Sequence, residues 1–385
     1  MESSFVLFSA QYPPHMGGIE NFTFNLAHAL VRRGNAVVVV TNDTNSVGSG
    51  IKDDDGVCVL RFPCFPLVGG RFPLAKHNAE ARKLWKWLMA RRVDGVLVNA
   101  RFYPHSLAGM KFARKKGLRP VVLDHGSAYL SFSNKLVDPA VRAYERAITS
   151  RGKRYGPDYY GISQKSVDWL EEFGIEARGV ISNAIDAEAY RAKSSGHDFR
   201  SELGLSADRL MIAFVGRFIP EKGIGPIVEA SKSSRLIDAG VTFVLAGDGP
   251  MAEEVRQSQS ESLRWVGKLS ASDVSALLQQ SDLLCLPTRS EGFSTTLLEA
   301  AACGCPAVVT DVGGAREVIP DERYGTIIGS MCSRDIVKAI YRLSKDADAL
   351  KDQKRACKHL AEVKFSWGET TSLLEVAFSD AKNKK

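Results

Sequence analysis

Glu291 and Glu299, eight residues apart, bracket the segment of this chain best suited to hold an anion and stabilise developing charge. The run Ser290-Glu291-Gly292-Phe293-Ser294-Thr295-Thr296-Leu297-Leu298-Glu299-Ala300 follows a strand-like stretch ending at Pro287. Its apolar period predicts a helix that starts near Ser294 and stops at Gly304, before Pro306. The first N–H groups of such a helix have no acceptor within it and favour a phosphate. Glu291 then stands in the loop above a sheet, and Glu299 about a turn inside the helix. Each acid also has a plain structural reading. Thr296-x-x-Glu299 fits a capping box, and Glu291 fits a solvated loop acid.

A cationic segment follows the strand predicted at 210–216. Arg217 and Lys222 stand five apart around Pro220-Glu221 and before Gly223, so that two cations converge on one position. A diphosphate there would receive bidentate hydrogen bonds from the guanidinium and a point charge from the ammonium. The alternative is a pair of surface cations beside a turn. Near the N-terminus, Phe5-Val6-Leu7-Phe8 leads to Gly17-Gly18 at the start of a helix that runs to Gly34. Two glycines there either let an anion approach the helix dipole or simply make a turn. Neither this turn nor Val215-Gly216-Arg217-Phe218 carries GxGxxG, which disfavours a nicotinamide or flavin enzyme.

The elements that must position these residues read as two series of short apolar, β-branched runs alternating with helix-period stretches. This is the pattern of parallel sheets covered by helices. The first series places strands at 5–10, 36–41, 57–62, 93–99, 120–124, 159–162 and 179–182. The second places them at 210–216, 241–246, 263–266, 283–286, 307–310 and 326–328, with helices such as 224–231 and 273–280 between. The polar stretch 186–208 connects the two. A length of 385 residues, 44% hydrophobic and 25% charged, suits two domains with their own cores and excludes disordered and fibrous classes.

No apolar run approaches the length of a membrane span, and Glu2-Ser3-Ser4 leads straight into a strand without the pattern of a signal peptide, so the expected compartment is the cytosol. Seven cysteines without a CxxC pair read as reduced thiols. The charge is lopsided. Residues 1–190 hold 25 Lys and Arg against 18 Asp and Glu, whereas residues 191–385 hold 26 of each. Within the first half, residues 71–119 carry 13 basic side chains opposed only by Glu80 and Asp94. An amphipathic helix at 79–92, with Leu84, Trp85, Leu88 and Met89 among Arg82, Lys83, Lys86, Arg91 and Arg92, reads either as a helix on an anionic membrane or as one packed on the sheet. Nothing in the stretch forms a nucleic-acid module, and no nucleic-acid partner is expected.

The Gly-Gly-x-Glu loop (Gly17, Gly18, Glu20), Gly216-Arg217 with Lys222-Gly223, Ala246-Gly247-Asp248-Gly249-Pro250, and Glu291 eight from Glu299 occur in this order across nearly the whole chain. Together they resemble glycosyltransferase family 4. The resemblance implies an α/β chain of the GT-B fold, two Rossmann-like doubly wound domains facing an interdomain cleft. Residues 1–185 plus 367–385 would form the acceptor-side domain and residues 186–366 the donor-binding domain, the helical stretch from Trp367 returning to the first. It implies retaining transfer of a hexose-type sugar from a nucleotide-diphosphate sugar, UDP ahead of GDP, to a glycan or lipid-linked acceptor of cell-surface polysaccharide or glycolipid synthesis.

Residue by residue, the resemblance gives Arg217 and Lys222 the donor diphosphate, Glu299 the ribose hydroxyls and Glu291 the transferring sugar. His125, after the strand at 121–123, matches the active-site histidine; by itself it reads as a core histidine. Gly17 and Gly18 would line the phosphate and acceptor side, and the backbone at Phe293, Ser294 and Thr295 would complete the phosphate site. Lys268 and Leu269 would meet the base, and Glu317, after Gly313-Gly314, would sit structurally near the cleft. Ser294 departs from the glycine of many relatives. No metal cofactor is expected, since two fixed cations take the place of magnesium and Asp53-Asp54-Asp55 reads as a surface turn. The other readings of such a chain are a GT-B nucleotide-sugar epimerase and a non-catalytic sugar-nucleotide-binding scaffold.

Overall fold

Unbroken β-branched runs such as Ala36-Val37-Val38-Val39-Val40 can be satisfied only where both faces of a strand are covered, and they form the centres of two parallel sheets. The computed structural model describes residues 2–15, 17–130 and 137–383, and the chain divides into two units, Met1–Asn183 with Trp367–Lys385, and Ala184–Ser366.

The first unit contains β1 (Ser4–Phe8), β2 (Ala36–Asn42), β3 (Gly50–Asp54), β4 (Val57–Phe62), β5 (Cys64–Leu67), β6 (Phe72–Ala75), β7 (Gly95–Asn99), β8 (Val121–Asp124) and β9 (Asp158–Gly161). Seven of these make one sheet in the order β3-β4-β2-β1-β7-β8-β9, parallel except for the edge strand β3. In register, Val6 stands between Val38 and Val96, all part of one core. The helix Trp367–Asn383 belongs to this unit: the Phe378 ring lies 4.8 Å from Phe5, and Gly95 has no room for a Cβ beneath that ring. Ion pairs Lys382–Asp94 (3.1 Å) and Arg33–Glu375 (2.8 Å) hold its outer side.

Two readings of this half are corrected. Asp53 and Asp54 lie in β3, antiparallel to β4, and only Asp55, at φ 48, begins the turn that Gly56 completes. Residues 179–182 contribute a single bridge, Gly161↔Val180, rather than a strand, because Gly179 at φ +150 departs from strand geometry. The hairpin β5–β6 stands outside the main sheet, with Phe65, Leu67 and Val68 exposed. The basic helix, observed as Ala79–Met89, turns Ala81, Leu84 and Leu88 into the core with Trp85 packed against it. Its apolar side is therefore the sheet-packing face, and Arg82, Lys83 and Lys86 face outward together with Glu80.

The second unit contains β10 (Leu210–Val215), β11 (Val241–Ala246), β12 (Leu263–Trp265), β13 (Leu283–Leu286), β14 (Ala307–Thr310) and β15 (Gly325–Ile328). All are parallel, in the order β12-β11-β10-β13-β14-β15. This is the doubly wound order in which the winding reverses between the first and fourth strands, here β10 and β13. Among the described residues, no helix is long and apolar enough to cross a membrane.

Candidate active site

At that reversal, the connections leaving β10 and β13 diverge to opposite faces of the sheet and leave a crevice outside their carboxyl ends. The two loops that enter it are stitched together. Arg289 N–H donates to the Glu221 carbonyl at 2.8 Å, and Thr288 Oγ1 donates to the same carbonyl at 3.1 Å. Gly223, at φ +76, packs so closely on Pro287 that a Cβ would lie 2.5 Å from its carbonyl oxygen. Only glycine meets both demands. The result is an ion pair between Lys222 and Glu291, residues 69 apart in sequence.

The loop after β11 closes the other side. Phe218 N–H donates to the Asp248 carbonyl (2.8 Å) and Met251 N–H to the Phe218 carbonyl (3.0 Å), while Gly247 and Gly249 sit where side chains would strike the backbone of Gly216 and Phe218. Between these loops lies a cavity of about 520 Å³ lined by Val215, Gly216, Arg217, Asp248, Lys268 and Leu269, among others. Arg217 and Lys268 thus share one cavity with Leu269. Lys222 does not line it and faces Glu291 instead.

The helix Thr295–Ala302 takes Ser294 as its N-cap: Ser294 Oγ accepts from Leu297 N–H at 3.3 Å, and its carbonyl accepts from Leu298 N–H at 3.4 Å. The cap therefore lies two residues before Thr296, and no Thr296–Glu299 capping box forms. The amides of Thr295 and Thr296 precede the intrahelical bonding. Serine in place of glycine gives this helix a side-chain cap, worth only about a few tenths of a kcal/mol over glycine. Glu299 lies beside Tyr190 and Lys193, and burial raises its pKa against the lowering influence of the Lys193 ammonium. Beneath the Glu291-Gly292-Phe293 loop run Gly313 and Gly314: a Cβ at Gly313 would lie 2.6 Å from the carbonyl oxygens of Glu291 and Gly292, and one at Gly314 would enter the Phe293 ring. These two glycines support the site from below. Their pairing was visible in the sequence, but their target was not. Glu317 follows them in the short helix Ala315–Val318.

In the first unit, His125 follows β8 and its Nε2–H donates to Asn99 Oδ1 at 3.0 Å. Asn99 Nδ2 donates to Thr23 Oγ1 at 3.0 Å, and Thr23 donates to the Ile19 carbonyl at 2.8 Å. Phe22 meets the imidazole edge-on at 5.1 Å. Burial pushes the His125 pKa down to about 3, so the ring is neutral at physiological pH and presents Nδ1 as an acceptor. The residues that fix it, Asn99 and Thr23, come from β7 and the helix Gly18–Arg32, and no sequence motif marks them. Gly17 is the N-cap of that helix and Gly18 its first residue. The Glu20 carboxylate is buried and folds over Gly17, where any Cβ would overlap it, so the chain's own acid occupies this helix start. Burial raises the Glu20 pKa.

Residues 16–189 match the family described as Glycosyltransferase Family 4, and residues 197–360 match Glycosyl transferases group 1. A phosphatidylinositol N-acetylglucosaminyltransferase protein of Arabidopsis thaliana is 25% identical over 395 residues, covering 96% of this chain and 80% of that protein. An uncharacterised glycosyltransferase of Methanocaldococcus jannaschii is 22% identical over 94% of each chain. Among solved structures, sucrose-phosphate synthase of Thermosynechococcus elongatus superposes with a TM-score of 0.77 at 17% identity, covering 100% of both chains. The Anabaena protein HepE in complex with UDP gives 0.72 at 18%, covering 99% of this chain and 100% of its own. Two family matches that together take in most of the chain, on two Rossmann-like sheets of the GT-B type, make this protein an enzyme of glycosyltransferase family 4.

Proposed function

We propose that the enzyme moves a hexose-type sugar from a UDP-sugar, with retention, to a glycan or lipid-linked acceptor in cell-surface polysaccharide or glycolipid synthesis. One observation supports this above all: the loops after β10 and β13 interlock so that Lys222 and Glu291 meet at the switch point. In this reading Arg217, Lys222 and the amides of Thr295 and Thr296 receive the diphosphate, with Phe293 and Ser294 shaping the loop. Glu299 receives the ribose hydroxyls, Leu269 and Lys268 flank the base, and Glu291 and neutral His125 orient the sugar. Gly17 and Gly18 line the phosphate and acceptor side.

The bond between the sugar C1 and the diphosphate oxygen breaks as an acceptor oxygen bonds to C1 from the same face. The acceptor proton passes to the departing phosphate oxygen, so no side chain must take it. Stabilising that leaving charge is the main task of the site, and two fixed cations with a helix N-terminus perform it without a metal. A uridine donor is supported by a structural relative solved with UDP and with UDP-glucose.

The test is thermal stabilisation by UDP, GDP, ADP and their common sugar conjugates, with Arg217→Ala as control. A ligand that binds only the folded state at 100 times its Kd adds about 2.7 kcal/mol. UDP and its conjugates are expected to raise Tm, and Arg217→Ala to abolish the rise. A shift with GDP alone would replace the donor, and no shift with any nucleotide would remove the assignment of the site.

The cytosolic enzyme is further proposed to touch the anionic inner face of the plasma membrane. Arg82, Lys83 and Lys86 face outward from the helix Ala79–Met89, and Phe65, Leu67 and Val68 are exposed on the hairpin segment before Arg71 in the same unit. Each cation near an anionic surface contributes about 1 kcal/mol. Sedimentation with phosphatidylserine-containing vesicles is expected to exceed that with phosphatidylcholine vesicles and to fall when Arg82, Lys83 and Lys86 are changed to Gln. Equal binding to both vesicle types would remove the electrostatic contact.

A further inference from the structure

The helix Ala187–Ala192 is pinned to the helix Thr295–Ala302 that carries Glu299. Arg191 donates to the Ala302 carbonyl at 2.7 Å, and from a third helix, Ala271–Gln280, Ser275 Oγ donates to the Tyr190 carbonyl at 2.8 Å. Tyr190 is only 6% exposed, and its ring is covered by the Lys193 ammonium 3.9 Å from the centroid. Its hydroxyl is buried without a partner at hydrogen-bonding geometry, an arrangement that is costly unless something completes it. The acid that acts on this hydroxyl is Glu299: its charge raises the tyrosine pKa further above what burial alone produces, and the hydroxyl in turn favours the ionised carboxylate.

We infer that Tyr190 is a positioning residue for ribose recognition, its hydroxyl closing on Glu299 from behind and fixing the carboxylate for the two hydroxyls of a donor ribose. This rests on the reading of Glu299 as the ribose ligand. The phenol is buried and covered by the Lys193 ammonium, so packing restricts it. A carboxylate held by it gives up less freedom on binding the ribose than a carboxylate free to rotate. Phenylalanine would fill the same volume, leave the packing intact and remove only the hydroxyl.

The experiment is calorimetric binding of UDP, GDP, ADP and CDP and of their 2′,3′-dideoxy counterparts to wild type, Tyr190→Phe and Glu299→Gln. Wild type is expected to prefer one ribonucleotide over its dideoxy form. Glu299→Gln should erase that preference. Tyr190→Phe should weaken ribonucleotide binding about five- to tenfold, the loss of one hydrogen bond, and leave dideoxynucleotide binding and Tm unchanged. If Glu299→Gln erases the preference and Tyr190→Phe keeps it at the wild-type ratio, the role of Tyr190 is wrong. If Tyr190→Phe weakens both nucleotide forms equally, the residue is structural and the inference fails. If wild type shows no preference, or Glu299→Gln retains it, the reading of Glu299 itself is wrong, and the inference falls with it.

Discussion

Lys222→Ala is expected to lower turnover with the preferred nucleotide sugar by about 10² to 10³, the cost of removing one preorganised stabiliser of developing charge. The lysine sits in the short 3-10 turn Pro220–Lys222, held by Lys222 N–H to the Ile219 carbonyl at 3.0 Å and closed by Gly223. Its backbone is therefore fixed before any ligand arrives, and the ammonium has to exchange Glu291 for the leaving phosphate. The loss should appear in kcat rather than in folding, because a partly exposed ion pair contributes about 0 to 1 kcal/mol to stability. Glu291→Gln is the informative companion. The carboxylate and a diphosphate compete for the same ammonium, so this variant should hold nucleoside diphosphate at least as tightly as wild type while turning over slowly. Steady-state rates and nucleotide binding measured on both variants decide the matter. Near wild-type kcat in Lys222→Ala would end the leaving-group role.

The second large effect is expected in the other unit, from Arg101→Ala. Arg101, Asp124 and Glu145 each have side chains only 1% exposed, with Arg101 Nε 3.4 Å from Asp124 Oδ2 and its NH1 3.2 Å from Glu145 Oε2. The guanidinium also lies 3.8 Å from the Phe173 ring centroid. Removing the cation leaves two buried carboxylates facing each other, and breaking a buried pair in this way costs about 3 to 5 kcal/mol. Burial raises the Asp124 pKa while Arg101 lowers it, so the substitution should raise it further. An acid with a raised folded-state pKa binds its proton more tightly folded than unfolded. The deficit should therefore be at its full, constant value above that folded-state pKa and shrink as pH falls through it toward the unfolded-state value.

The same cluster reaches the candidate site, because Asp124 immediately precedes His125 and Glu145 accepts from Leu130 N–H at 2.8 Å. Activity should fall with stability in Arg101→Ala. A joint replacement of all three charges by apolar residues of similar volume should recover most of the stability. Urea unfolding of the two variants between pH 5 and 8 measures both expectations. A cost below about 1 kcal/mol for Arg101→Ala would mean that water reaches these carboxylates.

Much of this enzyme was legible in its sequence because its determinants are local. Runs such as Val37 to Val40 and Leu283 to Leu286 commit to strands buried on both faces, and the stops at Gly34 and Gly304 end helices by backbone chemistry alone. The spacing of Glu291 and Glu299, and of Arg217 and Lys222, is likewise a local fact, and joined in order to the Gly17-Gly18 and Gly247-Asp248-Gly249 blocks it carried the family resemblance. Edge features were less legible. β3 carries Lys52, Asp53 and Asp54 and lacks an apolar period, since a strand bonded on one side in water needs none.

What only the tertiary structure decided is which separated segments meet. Sheet order brings β10 beside β13 across 67 intervening residues, and that adjacency, not any motif, joins Lys222 to Glu291 and excludes Lys222 from the cavity lined by Arg217. It also decided that Ser294 rather than Thr296 caps the helix, that the apolar side of Ala79–Met89 faces the core, and that Tyr190 lies beside Glu299. Composition and period specify what each element must bury. Which partner it buries against depends on strand pairing and packing between segments far apart in the chain, and those are properties of the folded molecule as a whole.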